Sequence, residues 1–155
     1  MKKINLFLLA LFVIDLLILL TYGQAQEHQF TTYTYDKVLF YWFYFFPIAY
    51  LLGGYLIGQL MLFKARLSLH KTIERAALIL VIALLAVFFG TGILLTIHYF
   101  APFLPGKLPT YLYYFILGIY SNYLAGFSVL GLILSMCISS RMTAHQTLLS
   151  KYQLS

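Results

Sequence analysis

Asp15 is the residue whose chemistry stands out, because it is a carboxylic acid inside an apolar run that extends from Ile4 to Tyr22. At about 1.5 Å of rise per helical residue it lies about 16 Å beyond Ile4, near the centre of a bilayer. Placing an aspartate at that depth costs about 2.5–3.5 kcal/mol, so we expect it to face other helices or to be protonated. A carboxyl in this position can handle a proton or a cation, or it can join helices through hydrogen bonds.

Depth along the other apolar stretches predicts which polar residues accompany Asp15. Tyr50 and Tyr55 lie within a turn of its level in the second stretch, Thr91 lies near it in the third, and Asn122 lies inside the fourth. Lys and Arg are missing at this depth, so we expect hydroxyl or amide partners and a neutral carboxyl. We favour a structural role for this intramembrane polar site, as a helix clamp or an attachment point for a partner helix. The alternative is that Asp15 handles a proton or a cation. We favour the structural role because proton paths usually need chains of such groups, and Asp15 is a single carboxyl.

Small residues recur at helical spacing within the apolar stretches and predict where helices pack. The fourth stretch carries them in alternating steps of three and four, the second contains a GxxxG pair, and the third contains a glycine after Ala83 and Ala86. Membrane helices associate through close backbone approach at such residues. We expect these faces to pack the bundle internally, with contact to an external partner as the alternative. The predicted packing residues are Gly54, Gly58, Gly90, Gly118, Ser121, Ala125, Ser128 and Ser135.

Aromatic residues accumulate at one end of the apolar stretches. Belts of Tyr and Trp are normal at both membrane interfaces, so the one-sided accumulation is the informative feature. We expect an enlarged belt at the outer headgroups; the alternative is a surface that grips a lipid tail, an apolar peptide or another membrane subunit. The residues of this predicted outer aromatic surface are Tyr41, Trp42, Tyr44, Tyr111, Tyr113 and Tyr114.

Four apolar stretches must position these residues, at about 4–22, 39–63, 76–100 and 111–139. Each is close to or above the length of about 20 residues that a membrane-crossing helix needs. Of the 155 residues, 63% are hydrophobic and 9% are charged, against about 25% charged in a soluble domain. This composition excludes a soluble enzyme and a soluble nucleic-acid binder. We predict an all-α, polytopic membrane protein, with residues 1–155 forming one bundle of four transmembrane helices.

Basic residues predict the orientation of the spans. Eight of the ten Lys and Arg residues lie before the first stretch, between the second and third, or after the fourth. Because short cytoplasmic segments carry such an excess, we expect both termini in the cytoplasm of a cell membrane, most simply the bacterial cytoplasmic membrane.

Two local features of the sequence predict the course of the backbone. Pro47 removes a backbone hydrogen bond inside the second stretch, so we expect a kink near its outer end. The string from Phe30 to Tyr35 is rich in β-prone residues, and we expect it to lie extended at the interface.

The sequence lacks the motifs that accompany catalysis or cofactor binding. It has one cysteine, its four histidines are dispersed, and no Ser/His/Asp set shares one depth. We therefore expect a non-enzymatic protein with no catalytic residue, cofactor, metal or nucleic-acid partner. The expected function is helix–helix contact in the bilayer, with another membrane protein or by self-association, as an accessory or scaffold subunit or a protective, immunity-like protein. The alternative is a small transport or permeation component that uses Asp15.

Overall fold

A computed structural model describes residues 2–32, 36–62 and 69–152, and within them the side chains of 4–29, 38–62, 69–112, 114 and 125–141. This part of the chain consists of helices and short connections, without a strand, so the all-helical prediction is confirmed for it. A π-helical turn, Tyr41–Phe45, joins the third helix to the fourth. The helices are α1 (Lys2–Leu19), α2 (Tyr22–Thr32), α3 (Asp36–Phe40), α4 (Phe46–Leu62), α5 (Lys71–Phe100) and α6 (Leu108–Tyr152).

Three helical stretches of the described chain are long and apolar enough to cross a membrane: Ile4–Gln29, Val38–Leu62 and Lys71–Phe100. They overlap the first three predicted spans, although the first continues beyond Tyr22 and the third begins before residue 76. Within α6, where the fourth span is predicted, the described side chains form a shorter apolar helix, Ala125–Arg141.

The helix α2 occupies most of the segment between the first and second predicted spans. It runs through Thr32, so the expectation of extended backbone is wrong for Phe30–Thr32, whereas residues 33–35 lie outside the described chain. The Ala25 amide donates to the Thr21 carbonyl at 3.2 Å, which carries the hydrogen-bond ladder of α1 almost without interruption into α2. Continuation of an existing helix adds one bond per residue fixed, and here it outweighs local β propensity.

The π-helical turn accommodates Pro47. A proline inside a helix has no N–H to donate, and its ring clashes with the carbonyl four residues earlier, here that of Phe43. The turn directly before it is wider, because the Phe46 N–H donates to the Tyr41 carbonyl, five residues back. The irregularity expected near Pro47 therefore takes the form of a π bulge.

Packing is closest between α4 and α6, which run parallel, because Gly54 lies against Ser128 and Gly58 lies against Ser135. The helix α5 runs antiparallel to α6. The helix α1 packs antiparallel against α4 and the π-helical turn. The buried core cluster consists of Phe43, Phe88 and Phe127, with the last two rings 4.8 Å apart.

Candidate functional site

Asp15 lies on the inner side of α1 and is 5% exposed. It is on the same face of the helix as Phe12, Leu16 and Leu19, at spacings of one, three and four residues. Its Oδ2 atom is completely buried and has no hydrogen-bond partner among the residues that the structure describes. Buried polar groups in folded proteins are nearly always hydrogen-bonded, so this carboxyl requires a physical explanation.

The polar residues expected to accompany Asp15 have other partners or positions. The Tyr55 hydroxyl donates to Asn5 Oδ1 at 3.4 Å, and the Thr91 hydroxyl donates to the carbonyl of residue 87 in its own helix at 2.7 Å. Tyr50 is 40% exposed. The side chain of Asn122 lies outside the described residues. The described hydrogen bonds therefore do not bring these groups to Asp15.

One end of α1 is held by a polar network that we call the Gln59 clasp: Asn5, Tyr55, Gln59, Ser135 and Ser139. Asn5 Nδ2 donates to Gln59 Oε1 at 3.5 Å, and Gln59 Nε2 lies 3.0 Å from Ser135 Oγ and 3.1 Å from Ser139 Oγ. Gln59 itself is buried. The clasp thus joins α1, α4 and α6 through one amide side chain.

The other end of α1 is held by the Tyr22 clasp: Thr21, Tyr22, Tyr41 and Trp42. The Thr21 hydroxyl donates to the Ile18 carbonyl at 2.7 Å, so the Tyr41 hydroxyl, 2.6 Å away, donates to Thr21 Oγ1. Trp42 Nε1 donates to the Tyr22 hydroxyl at 2.9 Å. Two residues of the predicted outer aromatic surface therefore anchor the junction of α1 and α2.

A groove of about 370 Å³ lies between the two clasps, and we call it the central groove. Its walls come mainly from α1 and α4, and the face of α1 that lines it is the face that carries Asp15. Its lining residues include Phe12, Leu16, Leu19, Ala49, Tyr50 and Gly53. The candidate site is therefore an unpartnered carboxyl beside an apolar groove, in the middle of a helix that is hydrogen-bonded at both ends.

The small residues of α4 and α6 meet at backbone distance. A Cβ added at Gly54 would overlap the Ser128 carbonyl, and one added at Gly58 would lie 2.7 Å from Ser135 Cβ. Gly131, which the predicted series omits, is equally tight, because a Cβ there would lie 2.7 Å from the backbone nitrogen of Tyr55. Of the other predicted packing residues in α6, Ala125 is exposed and the positions of Gly118 and Ser121 lie outside the described side chains.

The small residues of α5 face away from the rest of the described chain. Ala83 and Ala86 are exposed, and a Cβ added at Gly90 would meet nothing within 4 Å. We call these three residues the α5 small face. The glycine of this helix that does lie against a neighbour is Gly92, whose Cβ would lie 3.5 Å from that of Phe43.

The remaining predicted aromatic residues divide between the core and the surface. The Thr96 hydroxyl donates to the Gly92 carbonyl, so the Tyr44 hydroxyl donates to Thr96 at 3.0 Å, and the Tyr44 ring lies 6.5 Å from that of Phe89. Tyr111 is 65% exposed and Tyr114 is 63% exposed. The side chain of Tyr113 lies outside the described residues.

Two further polar contacts have no motif in the sequence. Arg141 of α6 forms an ion pair with Glu74 of α5, whose side chain is 9% exposed. His98 Nδ1 accepts the backbone N–H of Phe103 at 3.0 Å and that of Leu104 at 3.1 Å, which secures the connection between α5 and α6. The first contact joins residues far apart in sequence, and the second depends on the geometry of the loop after α5. The spacing of residues along the chain therefore cannot indicate either contact.

Neither a metal site among the described residues nor a similarity to known proteins indicates a function for the chain. Across the residues that the structure describes, no three His, Cys, Asp or Glu side chains are placed to hold a metal ion. The fold defines an all-helical protein with three helices that are long and apolar enough to cross a membrane. Comparison with protein-family models, curated proteins and solved structures finds no match.

Proposed function

We propose that the chain is a non-enzymatic integral membrane protein of the cell membrane, with four spans and both termini in the cytoplasm. The distribution of basic residues supports this topology. The helix directions also support it, because α1 and α5 run opposite to α4 and α6, as successive crossings of one bilayer require. A bacterial cytoplasmic membrane is the simplest location for such a chain.

The proposed activity is lateral helix contact, with another membrane protein or with a second copy of the chain, in an accessory, scaffold or immunity-like role. The observation that carries this proposal is the α5 small face. Small residues in membrane helices are enriched where helix backbones approach one another, because lipid provides no hydrophobic drive for association. The same residue types pack α4 against α6. In the α5 small face, by contrast, Ala83 and Ala86 are exposed and a Cβ added at Gly90 would meet nothing within 4 Å in the described chain.

A photo-crosslinking side chain at Ala86 is expected to trap a protein partner in native membranes. An adduct of twice the mass of the chain would identify self-association, and an adduct of another mass would identify a different subunit. Gly90→Leu is expected to reduce the adduct at least about tenfold, since losing about 1.4 kcal/mol of contact energy changes an association constant by that factor.

The matched control is Leu84→Phe, which adds bulk at the edge of the exposed side of α5, where the native residue is already 47% exposed. We expect this variant to give the same adduct as the native chain. Gly90→Leu should leave thermal unfolding in detergent unchanged, because its surroundings in the described chain are open. A chain that forms no adduct at Ala86, or one whose adduct is unaffected by Gly90→Leu, contradicts the contact function.

A second candidate function is a small transport or permeation component in which Asp15 handles a proton or a cation. The observation in its favour is the unpartnered Oδ2 atom, since ionisable residues inside membrane spans commonly belong to ion pathways. This function predicts a pH-dependent flux in proteoliposomes that Asp15→Asn abolishes while the chain still folds. If proteoliposomes show no flux above that of empty vesicles, the transport function is contradicted and the contact function is unaffected.

A further inference from the structure

We propose that Asp15 is a proton-binding site whose ionisation is coupled to separation of α1 from α4 along the central groove. The carboxyl is buried in its neutral form, and it releases its proton when the middle of α1 moves away from α4. This inference deepens the second proposed function, but it does not require that protons cross the membrane. Its test therefore measures protonation and helix position rather than flux.

The two elements that pack against α1, the π-helical turn and α4, carry no basic side chain. The π-helical turn and α4 contribute only phenols: Tyr41 is committed to Thr21, Tyr55 is committed to Asn5, and Tyr44 is committed to Thr96. The fourth, Tyr50, is partly exposed and lines the groove. None of these side chains is a cation.

The same holds for the neighbouring helices. The helix α6 reaches the central groove through Ser128, and its charged residue among the described side chains is Arg141, which pairs with Glu74. Along α1 itself the nearest basic residue is Lys3, about 18 Å away at 1.5 Å per residue. Among the described side chains, no cation or hydrogen-bond donor reaches the Asp15 Oδ2 atom. A buried carboxylate in such surroundings is strongly disfavoured, so the closed arrangement requires the neutral acid.

The interface of α1 and α4 can open between its two hydrogen-bonded ends. The Gln59 clasp and the Tyr22 clasp bind the two ends of α1 through hydrogen bonds. Between them, the described contacts across the groove are apolar, such as Phe12 against Gly53, whose added Cβ would lie 3.5 Å from the Phe12 ring. The groove already separates the two helices beside Asp15, so bowing of α1 at this point breaks no described hydrogen bond and admits water to the carboxyl.

The proton balance of the step is simple. The O–H bond of the neutral acid breaks, the proton passes to a water molecule that enters the groove, and the carboxylate remains on α1 with water as its hydrogen-bond donor. Reclosing requires the reverse transfer, because the carboxylate cannot return to the apolar interface in charged form. One proton is therefore released for each opening.

Infrared spectroscopy with selective labelling tests the first half of the proposal. The chain contains two aspartates, Asp15 and Asp36, so carboxyl-¹³C aspartate gives two resolvable groups. At neutral pH we expect one labelled group in the protonated acid form, and Asp36→Asn should retain it. Raising the pH should convert it to the carboxylate form, and Asp15→Asn should remove it altogether.

Nitroxide labels at Leu17 of α1 and Val129 of α6, in a Cys137→Ser background, test the coupling. Both native residues are exposed, and α6 is fixed against α4 by the glycine contacts, so the distance between the labels reports the position of α1. We expect this distance to increase by several ångströms over the same pH range in which the Asp15 acid band disappears. The Asp15→Asn chain should show no such increase.

Three results would overturn the proposal. A carboxylate band for Asp15 at neutral pH with the closed label distance would reveal a buried charge partner. An acid band that persists at every pH at which the chain is folded would make Asp15 a permanently neutral group. A pH-dependent label distance that survives in Asp15→Asn would assign the movement to a different residue. The infrared measurement, with Asp36→Asn to assign the band to Asp15, decides the second, and together with the label distance it decides the first.

Discussion

Gly54→Ala is expected to lower the free energy of unfolding in detergent by about 3 kcal/mol or more, at or above the upper end of typical overpacking costs. The added Cβ would overlap the Ser128 carbonyl oxygen and lie 2.8 Å from its Cα. These are backbone atoms of α6, so no side-chain rotation can make room, and the two helices must separate. Separation would also weaken the neighbouring contact of Gly58 with Ser135.

The matched control is Gly126→Ala, which makes the same substitution in α6 at a position where an added Cβ meets nothing within 4 Å. Alanine is favoured over glycine inside a helix by about 0.8–1.0 kcal/mol, so this variant should be as stable as the native chain or more stable. Gly131→Ala should behave like Gly54→Ala, because it faces α4 backbone. If Gly54→Ala and Gly126→Ala unfold alike, the close contact of α4 with α6 is not what stabilises the fold.

The α4–α6 contact shows how far the spacing of small residues can predict packing. Gly54, Gly58, Ser128 and Ser135 were selected by helical spacing alone, and the structure places them against one another. Gly131 was omitted, because a series with steps of three and four passes equally well through its neighbour. The spacing of small residues shows which side of a helix makes a contact. Which of two adjacent residues touches the partner helix depends on the rotation of the helix about its own axis, and the partner sets that rotation.

Asp15 shows the same limit for a polar site. Its depth correctly singles it out as a buried ionisable group, since it is 5% exposed. Of the companions predicted by depth, Tyr55 and Thr91 bond elsewhere, because residues at one level can point in any direction around their helices. Tyr55 turns toward Asn5, a residue with no motif around it. Gly90 is a related case, since its spacing predicts packing but cannot distinguish a neighbour in the chain from an external one.

The segment before α4 shows which local signals are overridden. Pro47 predicts a kink near the outer end of the second span, and the structure has a π-helical turn, Tyr41–Phe45, directly before the helix that contains it. In α2, β-prone residues continue an existing helix. In both places the extension of a hydrogen-bonded helix decides the backbone, and single-residue propensities are the weaker term.

Gln59→Met should have the second largest effect, a loss of about 1–3 kcal/mol, the cost of leaving buried polar groups without their partner. Methionine has nearly the same length and removes the amide that joins the three helices of the Gln59 clasp. Two serines of α6 can turn to their own helical carbonyls, which limits the loss on that side. The Asn5 side chain has no such substitute for Gln59, so α1 should loosen first.

The matched control for the Gln59 amide is Tyr55→Phe. This variant removes the hydroxyl donor to Asn5 but leaves the Gln59 amide in place. Its expected cost is about 0.6 kcal/mol, the average for one hydrogen bond between membrane helices. Unfolding by heat in detergent measures both variants. A nitroxide pair at Leu6 of α1 and Met136 of α6, both exposed in the native chain, shows in the Cys137→Ser background whether the Asn5 end of α1 has moved. Equal losses in the two variants would mean that Gln59 contributes through a single bond. A larger loss in Gln59→Met, with α1 displaced, would show that one buried amide holds this end of α1 to the α4–α6 pair.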